Sequence, residues 1–410
     1  MKNYSNIKIL FLGILLACKF SLYAQENVSV EPSFEMGQGL RFNFNNGDYQ
    51  VKIGGMIQPQ IAFIKDSTAD ASYFLNSRRT YFNVSGKAIK EKVSFLLQTD
   101  FSLTSPLMDA WVCYKPYKQL SITMGQQLAF TNNREMSIME TQFQFIDRSI
   151  LSTQFSSLGR EFGVFIESSF NLGKMIVSPK AAITSGDGRN SFGLSSTDYD
   201  LGGVKYAGRL DFLPLGNFSE GNEQVIADIK YEPSPKIVLG AAGSINKGAS
   251  HSTGEGHGSF LLYDTAGQNK LPDYRKLYYD VLIKYKGFSV LTEFVIATAK
   301  IEEGTYFDQT GIDLVKTTEI SERLTLGTGF NTQIGYVLNK KYGVDVRYAK
   351  LTQEFSGNVN SVLQNQEEIT YGFTRYFNEN NLKVNASFTH LKVGNAATSL
   401  IGNLYVQLLF

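Results

Sequence analysis

The chain has 410 residues, 43% of them hydrophobic and 13% aromatic, with 37 glycines and a formal charge of +1. Three of its lysines lie within the first 24 residues, so the remainder is near −2 with no basic stripe, which argues against nucleic acid as a partner. Two cysteines, Cys18 and Cys113, are too few for a disulfide-stapled fold. Aromatic wealth without long apolar runs suits a membrane barrel with aromatic girdles and a polar interior.

At the N-terminus Lys2 and Lys8 precede an apolar run over 9–17, and Leu22-Tyr23-Ala24 offers a peptidase site before Gln25. That is the pattern of an export signal over 1–24. The run is too short to cross a bilayer as a helix, which takes about 20 apolar residues. An alternative processing box, Leu15-Leu16-Ala17-Cys18, would place a lipid on Cys18, although Leu16 is bulkier than such a box prefers. Cleavage at Ala24 leaves Cys113 as the only thiol. Residues 25–48 read as a short periplasmic segment in which 41–44, Asn46-Gly47 and 49–53 form a hairpin feeding the first strand. So short a segment leaves no room for an N-terminal plug.

From 49 to 410, period-two alternation recurs and helical spacing does not. Over 93–102, Phe95, Leu97 and Phe101 oppose Ser94, Gln98 and Asp100; from Tyr342, Val344, Val346 and Tyr348 oppose Asp345, Arg347 and Ala349. The polar face is rich in Gly, Ser, Thr, Asn and Gln with charges of both signs, which suits a hydrated lumen opposite a lipid-facing surface. Strands are expected near 49–64, 73–88, 92–103, 107–115, 120–130, 159–170, 174–185 and 203–213. Eight more follow near 236–246, 277–285, 287–300, 327–338, 342–352, 365–377, 381–392 and 400–410.

Tight turns at Asn171-Leu172-Gly173, Lys286-Gly287, Asn339-Lys340-Lys341 and 378–381 alternate with long polar segments at 131–159, 186–203, 247–276, 301–326 and 353–366. Residues 214–235, with Pro233-Ser234-Pro235, read as a long periplasmic connection. The expectation is therefore an all-β transmembrane antiparallel barrel of about sixteen strands over 49–410, with short periplasmic turns and long extracellular loops. A barrel of that size leaves an open aqueous channel rather than a filled core. Phe410, the last residue of an alternating strand, has the look of the signal read by the barrel-assembly machinery.

His251, Glu255 and His257 share a Gly/Ser-rich loop that no regular element holds at metal-ligand spacing, and His390 sits near a strand end. No catalytic, cofactor or metal site is assigned from the sequence. A barrel enzyme of lipase or protease type and a lipid transporter are the rival functions to a passive channel.

Several segments resemble the phosphate-selective porin O and P family. They are Gly39-Leu40-Arg41-Phe42 with 48–60, Ser77-Arg78-Arg79, Asp109-Ala110-Trp111-Val112, Gly125-Gln126-Gln127, Phe145-Ile146-Asp147-Arg148-Ser149 and Arg160-Glu161-Phe162-Gly163. Asp198-Tyr199 through Gly208-Arg209 and Leu213-Pro214-Leu215 complete the set. The resemblance implies a sixteen-stranded, usually trimeric outer-membrane porin whose third extracellular loop folds into the pore. Here that loop is 131–159. Its Phe143, Phe145, Ile146, Ile150, Leu151 and Phe155 would be costly to leave in water. Folded inward, it brings Arg134, Glu140 and Arg148 to a constriction.

The chain departs from the family at Tyr81, where a third basic residue is usual, and in its inward charges. Lys52, Arg79, Lys205, Arg209, Lys284, Arg347 and Lys383 face inward by alternation. So do Asp100, Asp109, Glu161, Glu167, Asp211, Asp280, Glu293, Asp345 and Glu368. The expected function is passive diffusion of small hydrophilic solutes and ions, phosphate or other anions among the candidates. A mixed wall points to weak selectivity. Outer-membrane lipid, the assembly machinery and two further copies of the chain are the expected partners.

Overall fold

The computed structural model describes residues 30–66, 70–156, 159–190, 204–394 and 398–410. The expected export signal, Cys18 included, and most of the 186–203 loop lie outside the described residues.

Among the described residues, nineteen strands form one antiparallel sheet. β1 (Val30–Glu35) and β2 (Gly39–Phe44) form an N-terminal hairpin; β3 (Tyr49–Lys65), β4 (Ser72–Ala88), β5 (Val93–Asp100), β6 (Leu107–Tyr117) and β7 (Leu120–Leu128) open the barrel. β8 (Arg160–Ser168) and β9 (Phe170–Leu172) both pair with β10 (Met175–Thr184) and make one stave. β11 (Lys205–Leu213), β12 (Lys236–Asn246), β13 (Asp273–Tyr285), β14 (Phe288–Lys300) and β15 (Gly327–Leu338) continue the wall. β16 (Tyr342–Gln353), β17 (Gln366–Asn378), β18 (Leu382–Val393) and β19 (Ser399–Leu409) complete it. β19 closes on β3, giving a sixteen-stave barrel.

The seam is tight. Phe410 and Gly55 exchange backbone hydrogen bonds of 3.0 and 2.8 Å. A Cβ on Gly55 would meet the Tyr81 carbonyl at 2.4 Å and the Phe410 ring at 2.9 Å, so only glycine fits this approach. Below it, β2 takes over from β19 as the partner of β3, from Leu40↔Ile53 to Phe44↔Tyr49.

Closure satisfies the ladder on every stave, which is what lets a sheet sit in hydrocarbon. The pleat then sorts side chains: Val344 and Val346 are exposed on the outer face, while Asp345 and Arg347 are buried inside. Two strand ends differ from expectation. β13 begins at Asp273, because Tyr274 and Lys276 face inward around an outward Arg275 and the polar rim hid that alternation. β5 ends at Asp100, whose carboxylate accepts from Thr80 N (3.0 Å), Ser102 N (3.0 Å) and the Ser102 hydroxyl (2.7 Å).

The expectation of an unfilled lumen is corrected. Much of the β12–β16 side is packed: Ile150, Leu151 and Phe155 join wall residues Tyr274, Tyr278, Val295 and Leu351 and outer-loop residues Leu262, Ile320, Leu324 and Leu363 in one buried cluster. The cause is visible in β14, which carries large apolar side chains on both faces, with Leu291 and Val295 inside and Phe294 outside. An apolar inner face requires cover.

Residues 214–235 supply more of it. Phe218 and Ile226 pack with Ile138, Phe143, Leu282 and Leu291. Lys284 donates to the carbonyls of Asn222 (2.5 Å), Val225 (2.6 Å) and Ala227 (3.2 Å). The Tyr231 hydroxyl bonds the Val337 carbonyl, and Lys230 pairs with Glu379 at 2.9 Å. This periplasmic connection is tucked under the barrel as a second partial plug.

Candidate functional site

The third extracellular loop leaves β7 and re-enters at β8, its neck held by Ala129 N to Gly159 O at 2.8 Å. Between them it forms a short helix (Arg134–Ser137), a 3-10 turn (Glu140–Gln142) and a helix (Ile150–Phe155) capped by Ser149, whose hydroxyl accepts from Ser152 N. Six apolar side chains drive it inward: Phe143, Phe145, Ile146, Ile150, Leu151 and Phe155 are all buried. At about 1.5–3 kcal/mol for each fully buried side chain, this term outweighs any single polar anchor.

Polar anchors then fix its position around the wall. Arg134 reaches Asp211 and Asp280, both at 2.6 Å, and Arg209 bonds Asp280 (2.7 Å), Asp211 (2.9 Å) and the Asn132 carbonyl (3.1 Å). Glu140 receives Arg160 at 2.9 Å and Arg148 at 3.0 Å, and Arg160 also holds Asp109 at 3.0 Å. Gln144 donates to Asp345 (2.6 Å), Lys383 to the Phe143 carbonyl (2.6 Å), and Glu368 accepts from Ile150 N (3.1 Å). Arg347 bonds Glu368 at 2.5 Å and the Asp147 carbonyl at 2.9 Å, with Phe145 under its guanidinium.

On β4 a bulge brings two arginines to one carboxylate. Gln58 faces Arg79 and Pro59 faces Ser77, leaving Arg78 unpaired in the ladder. Proline lacks the N–H that a regular ladder needs, and the extra residue re-aims its side chain. Arg78 and Arg79 therefore both reach Asp147, at 2.7 and 3.4 Å, and Arg79 also bonds the Ile146 carbonyl at 2.7 Å.

Of the charges expected inside, Arg79, Asp109, Arg209, Glu293, Asp345 and Arg347 meet the loop or its anchors. Arg134 and Glu140 lie at the loop–wall seam. Arg148 is internal scaffolding, donating to the Glu135 and Ile138 carbonyls and lying over Phe143. Glu161 and Lys205 pair at 2.5 Å, and Lys205 reaches Glu255 at 3.0 Å. Two stand apart from the loop. Lys52 bonds Gln38 beside the N-terminal hairpin, and Asp100 holds the end of β5.

Sequence reading missed Arg160, Arg78 and Glu135. Alternation admits only one of the neighbours Arg160 and Glu161, but Arg160 is the first residue of β8, directly after Gly159 (φ +66) at the loop exit, and both side chains are buried. Glu255 also forms a buried ion pair with Lys276, and the exposed His257 bonds the Arg189 carbonyl. His390 lies against Phe388 on the outer surface.

Burial alone would raise the Glu140 carboxyl, but Arg160 and Arg148 outweigh it and hold the group well below the ordinary carboxylate range. For Asp147, burial is likewise overcome by Arg78 and Arg79, and the carboxyl lies below its usual value. Beside the loop a cavity of about 930 Å³ opens toward the periplasmic turns. Trp111, Phe130 and Phe218 line it together with Lys115, Lys180, Arg134 and Arg209 and with Asp109, Glu167 and Asp211. Lys180 bridges Glu167 (3.2 Å) and Asp211 (3.3 Å). The arrangement is a cavity lined by charges of both signs next to a fastened loop.

No family model matches the chain, and no curated protein matches it. Solved structures do. The outer-membrane channel DcaP of Acinetobacter baumannii aligns with a TM-score of 0.56 at 10% identity, over 89% of this chain and 99% of that one. An anion-selective porin from Comamonas acidovorans aligns with a TM-score of 0.53 at 10% identity, over 88% and 100%. The trimer form of OmpT, an outer-membrane protein of Vibrio cholerae, gives 0.53 at 10% identity, over 88% and 99%. The fold is that of bacterial outer-membrane porins and channels.

Proposed function

We propose that this protein is an outer-membrane porin that passes small hydrophilic solutes and ions by passive diffusion and assembles as a homotrimer. The observation that carries this reading is the third loop, fastened to the inner wall by buried anchors, with a cavity of about 930 Å³ lined by charged and aromatic side chains beside it. The similar structures, a channel, an anion-selective porin and a trimer, point the same way. On this reading the kinship with the phosphate-selective O and P porins extends to architecture and not to phosphate selectivity.

Anion selection needs uncompensated Lys or Arg crowding the narrow region. Here Arg134, Arg209 and Lys180 share Asp211, Asp280 and Glu167, and Arg160 shares Asp109 and Glu140. Such pairs cancel well inside a Debye length of about 8 Å. The reversal potential across a KCl gradient, repeated with phosphate added, tests this. A small potential and unblocked current are expected. A strongly anion-selective potential with block by sub-millimolar phosphate would refute it.

A further inference from the structure

The seam between loop and wall contains an oxygen-rich cluster that its anchors leave incomplete. One oxygen of Glu293, inward on β14, accepts from Asn133 Nδ2 (3.1 Å) and Glu135 N (2.7 Å); the other accepts from Asn331 Nδ2 (2.8 Å). One oxygen of Glu135 accepts from Gln333 Nε2 (2.6 Å), and the other from Ser149 N (2.9 Å) and the hydroxyls of Ser149 (2.6 Å) and Ser152 (2.5 Å).

Positive charge is scarce here. The cation paired with Glu135, Arg347, stands 3.7 Å away and is bonded to Glu368 at 2.5 Å. Among the described residues, Glu293 takes part in no ion pair.

Three amide oxygens in the same cluster are also without partners. Asn133, Asn331 and Gln333 each direct NH₂ to a carboxylate, and their oxygens, Asn133 Oδ1, Asn331 Oδ1 and Gln333 Oε1, accept no hydrogen bond. All three residues are at most 1% exposed. Reversing any of these amides would set its oxygen against a carboxylate oxygen, so the orientation is fixed by the network. Two carboxylates and three orphaned carbonyl-type oxygens, buried together, form a set of hard donors.

We propose that this cluster binds a hard divalent cation, calcium, between Glu293 and Glu135, with the oxygens of Asn133, Asn331 and Gln333 completing the shell. Calcium accepts six to eight oxygen ligands in flexible geometry, which suits a mixed set of carboxylate and amide oxygens, whereas magnesium demands near-ideal octahedral order and keeps several of its waters. The ion would supply the missing positive charge and join the loop (Asn133, Glu135) to β14 and β15 (Glu293, Asn331, Gln333). This goes beyond the porin reading and stands independently of the solute carried.

The test is calorimetric titration of calcium chloride into purified, chelator-stripped, full-length protein in detergent. One saturable site per chain is expected. Glu293→Gln keeps the shape of the site and should weaken calcium binding by about tenfold or more, because affinity follows ligand charge. Asn331→Asp adds a charge and should tighten it. Absence of saturable binding, binding of sodium without calcium, or equal affinity in wild type and Glu293→Gln would overturn the proposal. If Glu293→Gln fails to fold, equal affinity in wild type and Asn331→Asp would do so instead.

Discussion

Replacing Arg160 with leucine should unseat the third loop without opening the barrel. Its guanidinium donates to Asp109 at 3.0 Å and to Glu140 at 2.9 and 3.2 Å, and all three side chains are buried. Removing one partner of a buried ion pair costs about 3–5 kcal/mol, because the other charge is left uncompensated. At about 1.4 kcal/mol per factor of ten, the seated form of the loop should lose roughly two to three and a half orders of magnitude in its favour. The apolar contacts of Phe143, Phe145 and Leu151 remain, so the expected result is fluctuation rather than release. Single-channel recordings should show frequent excursions to higher conductance, and limited proteolysis should cut the loop, while the heat-modifiable gel shift of the folded barrel persists.

Acid adds a second readout. A carboxyl with a depressed folded-state pKa gives stabilisation that is full above its ordinary value, 4.5 for Glu140, and is lost only as pH falls through the lower folded-state value. The wild-type anchor at Glu140 should therefore survive acidification to about pH 4.5. In Arg160→Leu the leading charge that lowers this carboxyl is gone, so the noise should grow at a higher pH than in wild type. Identical noise and identical pH profiles in the two proteins would refute the reasoning.

Lys284→Met should loosen the periplasmic segment 214–235, because it leaves the carbonyls of Asn222, Val225 and Ala227 without their donor. Each orphaned buried group costs about 1–3 kcal/mol; faster proteolysis within the segment and a modest rise in conductance are expected, and unchanged values of both would count against the plug. Met124→Arg, on the outer face of β7, should reduce folded yield more than Ser121→Arg, which faces the cavity. The lipid-face penalty is about 2–4 kcal/mol at the bilayer midplane. Equal yields would show that the inward and outward faces are misassigned.

The staves were legible because a pleat has period two, and in Val344–Asp345–Val346–Arg347 the two faces differ in chemistry at every step. The loop was legible for a similar reason: Phe143, Phe145, Ile146 and Leu151 have no good place in water. What was not legible depends on closure. Arg78 and Arg79 share Asp147 only because Pro59, opposite them, forces a bulge. Residues 214–235 find Lys284, Val337 and Glu379, all distant in sequence, only once the wall has curved round to bring them beneath the same mouth. Alternation reports which face a residue takes, and it is silent on what folds back against that face. For this reason the inward charges were read as a mixed pore wall, whereas most are bonded to the loop.

The most direct measurement is single-channel conductance of the purified protein in a planar bilayer, beside a variant in which 138–154 is replaced by a short Gly/Ser linker. Discrete, stable openings in the wild type and larger ones in the variant are the predicted result. A bilayer that stays silent with folded protein, or equal conductance in the two proteins, would contradict a channel narrowed by its third loop.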